Sequence, residues 1–180
     1  MHNESGAIKV IIEGLFLNAA TELLAAYKLS YKANASSDER LSVGDESILS
    51  VITASGEGLR ISCTLNIGVD TAMSLHHDVT DLNSAQDLCA EFNNQLIGKL
   101  KNKLLAYNCK VLIGLPSLIH GSKITRTPSH SADSTDYTFY CDAGALLIDL
   151  QTSIHPGLAI LDEPDESLSG TVSEGTLDFF

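Results

Sequence analysis

Positive charge is scarce in this sequence. Eleven Lys and Arg residues stand against 23 Asp and Glu residues, which gives a formal net charge of −12. Proteins that bind nucleic acid do so through a basic surface that attracts phosphates. The sequence therefore predicts no nucleic-acid partner, and solubility is the simplest explanation of its acidity.

Cysteine is also sparse, and its spacing is not that of a ligand set. The chain contains no C-x-x-C pair, and all four cysteines lie inside apolar stretches: Cys63, Cys89, Cys109 and Cys141. Zinc sites and disulfide frameworks of small secreted domains show characteristic cysteine spacings. We therefore predict buried, reduced thiols and no metal site.

Targeting and membrane segments are missing as well. The N-terminus lacks the charged region and small-residue cleavage site of a signal peptide. The most apolar run, residues 7–24, is interrupted by Lys9, Glu13 and Glu22, so no bilayer-spanning segment is predicted. The cytoplasm is the default location. With 180 residues, 44% of them hydrophobic, we expect one domain over residues 1–160, followed by an acidic, loosely docked or disordered tail over residues 161–180.

The segment Ser84–Asn108 has the clearest helical pattern in the sequence. Ser84 is the predicted N-cap, with Asp87 three residues later as its capping-box partner. Apolar residues recur at helical spacing and predict one buried stripe, formed by Leu88, Cys89, Phe92, Leu96, Leu100 and Leu104.

The opposite face of this helix carries Asp87, Glu91, Asn94 and Gly98. Their spacing of four, three and four residues places them on one line, within roughly 60° of arc. A glycine inside a helix costs about 1 kcal/mol relative to alanine, so Gly98 calls for a reason, such as clearing space for a partner.

The remaining segments predict an α+β fold, in which two long helices pack on an antiparallel β-sheet. The order helix, extended segment and hairpin occurs twice, which suggests two pseudo-repeated halves. The first half is predicted to contain a helix over residues 6–33 and a hairpin over residues 48–69 that turns at residues 56–58. A short helix over residues 71–79, capped by Asp70, precedes the long helix. After the long helix we predict a strand over residues 110–121, irregular or at an edge near Pro116, and a hairpin over residues 137–154 that turns near residues 142–144.

Glu91 and Asn94 do not form a nucleophile–base pair, because an amide does not titrate. An amide can hold a water molecule through its N–H and C=O groups, and an exposed carboxylate can engage a cation on a partner. Together they suit a hydrolysis in which another molecule carries both the electrophile and the metal, and the helix positions a water in line with phosphorus.

Three blocks of sequence resemble the CheC/CheX family of chemotaxis phosphatases. The order D-x-x-x-E-x-x-N in DLCAEFNNQLIG, with Asp87, Glu91 and Asn94, is similar to the family's active-site helix. GLPSLIHG, with Leu115, Pro116 and Gly121, is similar to the strand that follows, and TASGEGLRISCTLNIGVDTAMSL resembles the family's hairpin and capped helix.

The resemblance implies a CheC-like fold and a homodimeric phosphatase that acts on the aspartyl phosphate of a phosphorylated CheY-like response regulator. Glu91 would pair with the regulator's lysine and Asn94 would orient the attacking water. Mg²⁺ would be held by the regulator, so no cofactor is expected on this chain. CheC-type members carry a second E-x-x-N on the first helix, where this chain has Val10 and Glu13, so the single-site, CheX-like type fits better.

Other interpretations remain open at this point. Glu91 and Asn94 could be ordinary solvated helix residues, and Asp87 a first-turn acid. The same face could serve a non-catalytic module that binds a response regulator, or a flagellar-switch-like interaction module. His76, His77 and Asp78 are adjacent, but neighbouring residues on a helix point in different directions, so they predict no metal site. The tail could tether a partner.

Overall fold

The structure of the protein is a computed structural model that describes residues 2–27, 32–35, 43–124, 133–142 and 144–168. These described residues form three helices and seven strands in this order: α1 (His2–Ala26), β1 (Lys32–Ala35), β2 (Glu46–Gly56), β3 (Leu59–Gly68), α2 (Val69–Leu75), α3 (Leu82–Leu105), β4 (Val111–Ile113), β5 (Ser117–Ser122), β6 (Ser134–Cys141) and β7 (Gly144–Ile154). None of the described helices combines the length and the apolar character that a bilayer crossing requires.

All seven strands form one antiparallel sheet, which confirms the predicted α+β class. The two hairpins, β2–β3 and β6–β7, lie side by side through pairing of β3 with β7. β1 borders the second hairpin, whereas β4 and β5 follow one another along the outer edge of β2. The second hairpin is thus flanked by β1, which follows α1, and the first hairpin is flanked by β4 and β5, which follow α3.

One face of the sheet is covered by α1 and α3. Alternate residues of β2 and β3 are buried, because successive side chains of a strand point to opposite faces. The helices and the strands contribute the fully buried side chains Ile12, Phe16, Leu23, Leu96, Ile48, Ile52, Ile61 and Leu65. An ion pair of 2.8 Å between Lys103 Nζ and Glu22 Oε1 joins the two long helices.

The predicted buried stripe of α3 is confirmed apart from Leu88, which is only partly buried, but the predicted start of this helix is wrong. The N-cap is Asp81, whose carboxylate accepts a hydrogen bond of 2.8 Å from the Ser84 backbone N–H. Ser84 is the reciprocal partner, because its hydroxyl oxygen accepts from the Asp81 N–H. The Ser84 hydroxyl also donates to Asp81 Oδ1 at 2.8 Å. The two hydrogen bonds that the carboxylate accepts, from the backbone N–H and the hydroxyl of Ser84, hold the pKa of Asp81 below its usual value. Asp87 consequently lies on an exposed turn beyond the cap.

The boundaries of the other two helices also differ from the prediction. The first helix ends at Ala26, and the residues predicted as its last turn include Lys32 and Ala33, which pair with β6 instead. Pairing with a strand distant in sequence outweighs local helical periodicity there. The short helix begins at Val69 with Gly68 as N-cap, so Asp70 lies in its first turn, and it ends at Leu75 rather than near residue 79.

The segment that follows the sheet forms hydrogen bonds with the C-terminal end of α3. The Leu161 N–H donates to the Tyr107 carbonyl at 3.1 Å, and the Asp165 N–H donates to the Ala106 carbonyl at 2.7 Å. Such bonds satisfy carbonyl groups near a helix end that have no partner within the helix. The boundary expected at residue 160 stays a prediction, and residues 169–180 of the predicted tail lie outside the described residues.

The four cysteines are free thiols, and the prediction that they are buried is confirmed for three of them. Cys63, Cys89 and Cys109 are buried, and Cys141 is partly exposed. Burial raises the pKa of Cys63 and Cys109, and it raises the pKa of Cys89 to about 12. The buried thiols therefore act as small apolar side chains of the core.

Candidate functional site

The exposed face of α3 presents the four residues predicted from their spacing. Asp87 is exposed, and Glu91, Asn94 and Gly98 are partly exposed. The opposite face packs into the core through Cys89, Phe92, Leu96 and Leu100. Because α3 is capped at its start and held near its end, these four residues lie on a fixed, convex ridge.

Glu91 has two neighbours that the sequence prediction did not include, and one of them binds it. Gln95, one turn further along α3, donates a hydrogen bond of 2.7 Å from Nε2 to Glu91 Oε1. Tyr27, the residue after α1, packs against Phe92 with ring centroids 5.6 Å apart and ring planes inclined by 48°. Burial raises the pKa of Tyr27, and the negative charge of Glu91 raises it further. The i, i+4 spacing of Glu91 and Gln95 could have indicated the first contact; no local signal indicates Tyr27.

Glu91 therefore has one carboxylate oxygen bound and one available. In the part of the chain that the structure describes, Oε2 has no hydrogen-bond or ion-pair partner. The Asn94 amide likewise makes no hydrogen bond with a described residue. The carboxylate can accept a cationic donor, and the amide can both donate to and accept from a water molecule. Neither residue supplies a nucleophile.

Asn93, the neighbour of Asn94, has the opposite environment. Its side chain is fully buried, with 0% exposed surface. Nδ2 donates to the Ser50 carbonyl at 3.0 Å and to the Ser50 hydroxyl at 3.2 Å, and it lies 3.4 Å from the Cys63 carbonyl. Asn93 thus connects α3 to β2 and β3. Asn93 was not among the predicted site residues, although its spacing from Cys89 and Leu96 places it on the buried face.

Gly98 is not required by the packing of the chain itself. A Cβ atom added to this residue would meet no atom within 4 Å. The predicted reason for Gly98, clearance for a partner, therefore concerns the space outside the molecule.

The ridge of α3 is separate from two clefts that lie beside the β2–β3 turn. A cleft of about 810 Å³ opens beside the β2–β3 turn, and its lining includes Asn108, Lys110 and His155. None of the four ridge residues lines this cleft or the adjoining one. Within the described ranges, these four residues also belong to no cluster of three metal-ligating side chains. The ridge can therefore act by entering the site of another molecule, rather than by enclosing a small substrate.

Several solved structures share this fold. A CheC-like superfamily protein from Shewanella sp. PV-4 has 18% identity and a TM-score of 0.64, over 79% of this chain and 97% of that chain. Chemotaxis protein CheX from Vibrio vulnificus has 17% identity and a TM-score of 0.64, over 79% and 96%. CheX in a CheX–CheY–BeF₃–Mg²⁺ complex from Borrelia burgdorferi has 19% identity and a TM-score of 0.54, over 78% and 96%.

The family comparison is independent of these structures. No curated protein matches the sequence. Residues 48–141 match the family described as chemotaxis phosphatase CheX. The matched region contains both α3 and the β2–β3 hairpin. Since it spans more than half of the 180 residues, the chain belongs to the chemotaxis phosphatase CheX family.

Proposed function

We propose that this protein hydrolyses the aspartyl phosphate of a CheY-like response regulator. The observation that carries the proposal is the arrangement of Glu91 and Asn94 on the exposed ridge of α3, each with polar atoms that no described residue uses. Family membership supports the reaction class, and the CheX–CheY complex from Borrelia burgdorferi supports the class of partner.

In the proposed mechanism, Asn94 enters the regulator's site and holds a water molecule in line with phosphorus. The water oxygen attacks phosphorus, the bond to the aspartyl oxygen breaks, and the products are inorganic phosphate and the regulator's carboxylate. Positioning and electrostatic stabilisation account for most catalysis in phosphoryl transfer. Mg²⁺ is held by the regulator, as is consistent with the Mg²⁺ in the Borrelia complex, and the reaction requires no cofactor on this chain.

Glu91 pairs with a lysine of the regulator through its available oxygen, while Gln95 fixes the other oxygen. The Gln95 hydrogen bond limits the rotation of the carboxylate before the partner arrives, which reduces the entropy lost on binding. Asp87 and Gly98 support the contact, Asp87 by adding negative charge one turn earlier and Gly98 by allowing close approach of the regulator.

We expect Glu91→Gln to lower kcat/KM for phosphate release from a phosphorylated receiver domain by roughly 10- to 100-fold, mainly through a higher KM. A hydrogen bond to a charged group contributes about 1.5–3 kcal/mol, and the substitution removes the charge while keeping the shape. Steady-state phosphate release at varied regulator concentration measures both constants.

Glu57→Gln is the matched control for Glu91→Gln. It removes the same charge at the exposed β2–β3 turn and should leave both constants unchanged. If kcat/KM fell equally in the two variants, the effect of Glu91→Gln would come from the change in net charge and not from a specific contact of Glu91. Binding of the regulator without any phosphate release by the wild-type chain would make this protein the non-catalytic module instead.

Gly98→Ala should separate stability from activity. Because a Cβ atom meets nothing within 4 Å, we expect the free energy of unfolding to rise by about 0.5–1 kcal/mol from helix propensity, whereas phosphate release should fall. Gly14→Ala, in α1, has equally open surroundings and should give the same gain in stability with unchanged release. Chemical denaturation and the phosphate assay measure the two effects, and full activity of Gly98→Ala would remove Gly98 from the site.

Self-association is proposed along the outer edge of the sheet. β4 and β5 have no partner on that side among the described strands, and Leu112 and Leu115 are 77% and 91% exposed there, near the exposed Ile119. Exposed edges with large apolar side chains favour pairing with a second chain.

We expect Leu115→Glu to shift a dimer to monomers in sedimentation analysis. Val10→Glu, at an exposed apolar position of α1, is the control and should leave the dimer intact. A wild-type monomer would contradict the proposal.

A further inference from the structure

Three polar residues converge where α2 ends. Since the helix ends at Leu75 and His76 has an extended backbone, with φ −146° and ψ 138°, the two imidazoles of His76 and His77 are not forced apart by helical geometry. The Val79 N–H donates to the His76 carbonyl at 3.1 Å and closes a turn over these residues. The sequence prediction that the side chains of His76 and His77 point in different directions assumed that both residues lie in a helix, but α2 ends before them.

The donor atoms of this turn are close to one another. His76 Nδ1 lies 3.5 Å from one carboxylate oxygen of Asp78, and His77 Nε2 lies 3.2 Å from the other. All three donor atoms lie within 4.8 Å of one another, and the two rings are 4.5 Å apart. Two ligand atoms about 2.1 Å from a tetrahedral zinc ion stand about 3.4 Å apart, which is close to both contacts with Asp78.

The ligand types also select the ion. His76 Nδ1 accepts a long hydrogen bond of 3.4 Å from the Asp78 N–H, which a metal ion would replace at the same lone pair. Two imidazole nitrogens and one carboxylate match Zn²⁺ and neighbouring divalent transition metals, whereas Mg²⁺ and Ca²⁺ prefer oxygen ligands.

The geometry points to a divalent transition-metal site formed by His76, His77 and Asp78, with zinc as its ion. All three side chains are accessible, with 43%, 84% and 74% of their surface exposed. The remaining coordination positions therefore face solvent and can take water or a ligand from another molecule. The site is independent of the phosphatase chemistry proposed for Glu91 and Asn94.

The location of the site gives the ion a structural consequence. Asp78 is three residues before Asp81, the N-cap of α3. An ion that binds all three side chains restrains the turn that leads into the helix carrying the ridge. The expected signature is slower amide hydrogen exchange over residues 76–81 when zinc is present, because local opening of the turn then requires loss of the ion.

Zinc titration of the full chain by calorimetry tests the site. We expect one ion per chain, with the affinity reduced at least about tenfold in His76→Ala, in His77→Ala and in Asp78→Asn, since loss of even an outer-shell partner typically reduces affinity 10- to 100-fold. All three residues are exposed, so the variants should fold. His155→Ala removes another exposed imidazole and should bind zinc as the wild type does.

Cobalt(II) provides the second measurement. Its visible spectrum should show nitrogen and oxygen coordination without a thiolate charge-transfer band, and Cys141→Ser should leave that spectrum unchanged. Binding that persists in a His76→Ala/His77→Ala double variant would overturn the assignment. Weak binding of several ions per chain, unaffected by any of these substitutions, would equally overturn it, since it would reflect scattered surface carboxylates.

Discussion

Replacing Asn94 by alanine is expected to reduce the rate of phosphate release from a phosphorylated regulator by at least about 100-fold. The amide is proposed to hold the attacking water, and a displacement of about 1 Å in a reacting group can reduce the rate by that factor. Binding of the regulator should change little, because Glu91 supplies the charged contact. The loss should therefore appear in kcat, in contrast to the Glu91→Gln variant.

The free energy of unfolding distinguishes this proposed role of Asn94 in catalysis from a structural role. Asn94 is partly exposed and makes no hydrogen bond with a described residue, so Asn94→Ala should leave the free energy of unfolding within about 0.5 kcal/mol of the wild type. Asn18→Ala, at an exposed position of α1, is the control and should release phosphate at the wild-type rate. Unchanged release by Asn94→Ala would remove this residue from the mechanism.

Much of the fold could be predicted from periodicity. The alternation in β2 and β3 and the apolar stripe of α3 are local patterns, and each appears in the structure as predicted. The boundaries that failed depend on partners elsewhere. Lys32 and Ala33 continue a helical pattern, yet they pair with Tyr140 and Phe139 of a strand that lies more than 100 residues away, which no local pattern reveals.

The candidate site likewise has some features that local sequence predicts and others that depend on distant partners. The line formed by Asp87, Glu91, Asn94 and Gly98 follows from helical spacing alone, and its exposure agrees with that spacing. The contact of Tyr27 with Phe92 joins two helices, so it required the packing of α1 on α3. The convergence of His76 and His77 depended on a helix end, and helix ends are less well defined by sequence than helix interiors.

The position of Asn94 on the ridge depends on how α3 is rotated about its own axis, and a buried amide on the other side of the helix contributes to fixing this rotation. Contacts of the apolar stripe with the sheet are not directional, so they define this rotation less sharply than hydrogen bonds do. Hydrogen bonds from Asn93 Nδ2 to Ser50 are directional, and they are satisfied only over a narrow range of helix rotation. Two adjacent asparagines thus have complementary roles, one inside the core and one outside.

Asn93→Ala is therefore expected to lower the free energy of unfolding by roughly 2–4 kcal/mol, from the lost hydrogen bonds and the cavity that remains. Asn93→Asp keeps the shape but replaces the donor by an acceptor that faces the Ser50 and Cys63 carbonyls, so it should destabilise the fold at least as much. Chemical denaturation measures both variants, with Asn94→Ala as the neighbouring control. Below the unfolding transition, Asn93→Ala should also release phosphate more slowly, because the ridge is less well oriented. If Asn93→Ala were as stable as the wild type, the hydrogen bonds to the sheet could not be what orients α3, and the apolar stripe alone would have to place Glu91 and Asn94 on the exposed face.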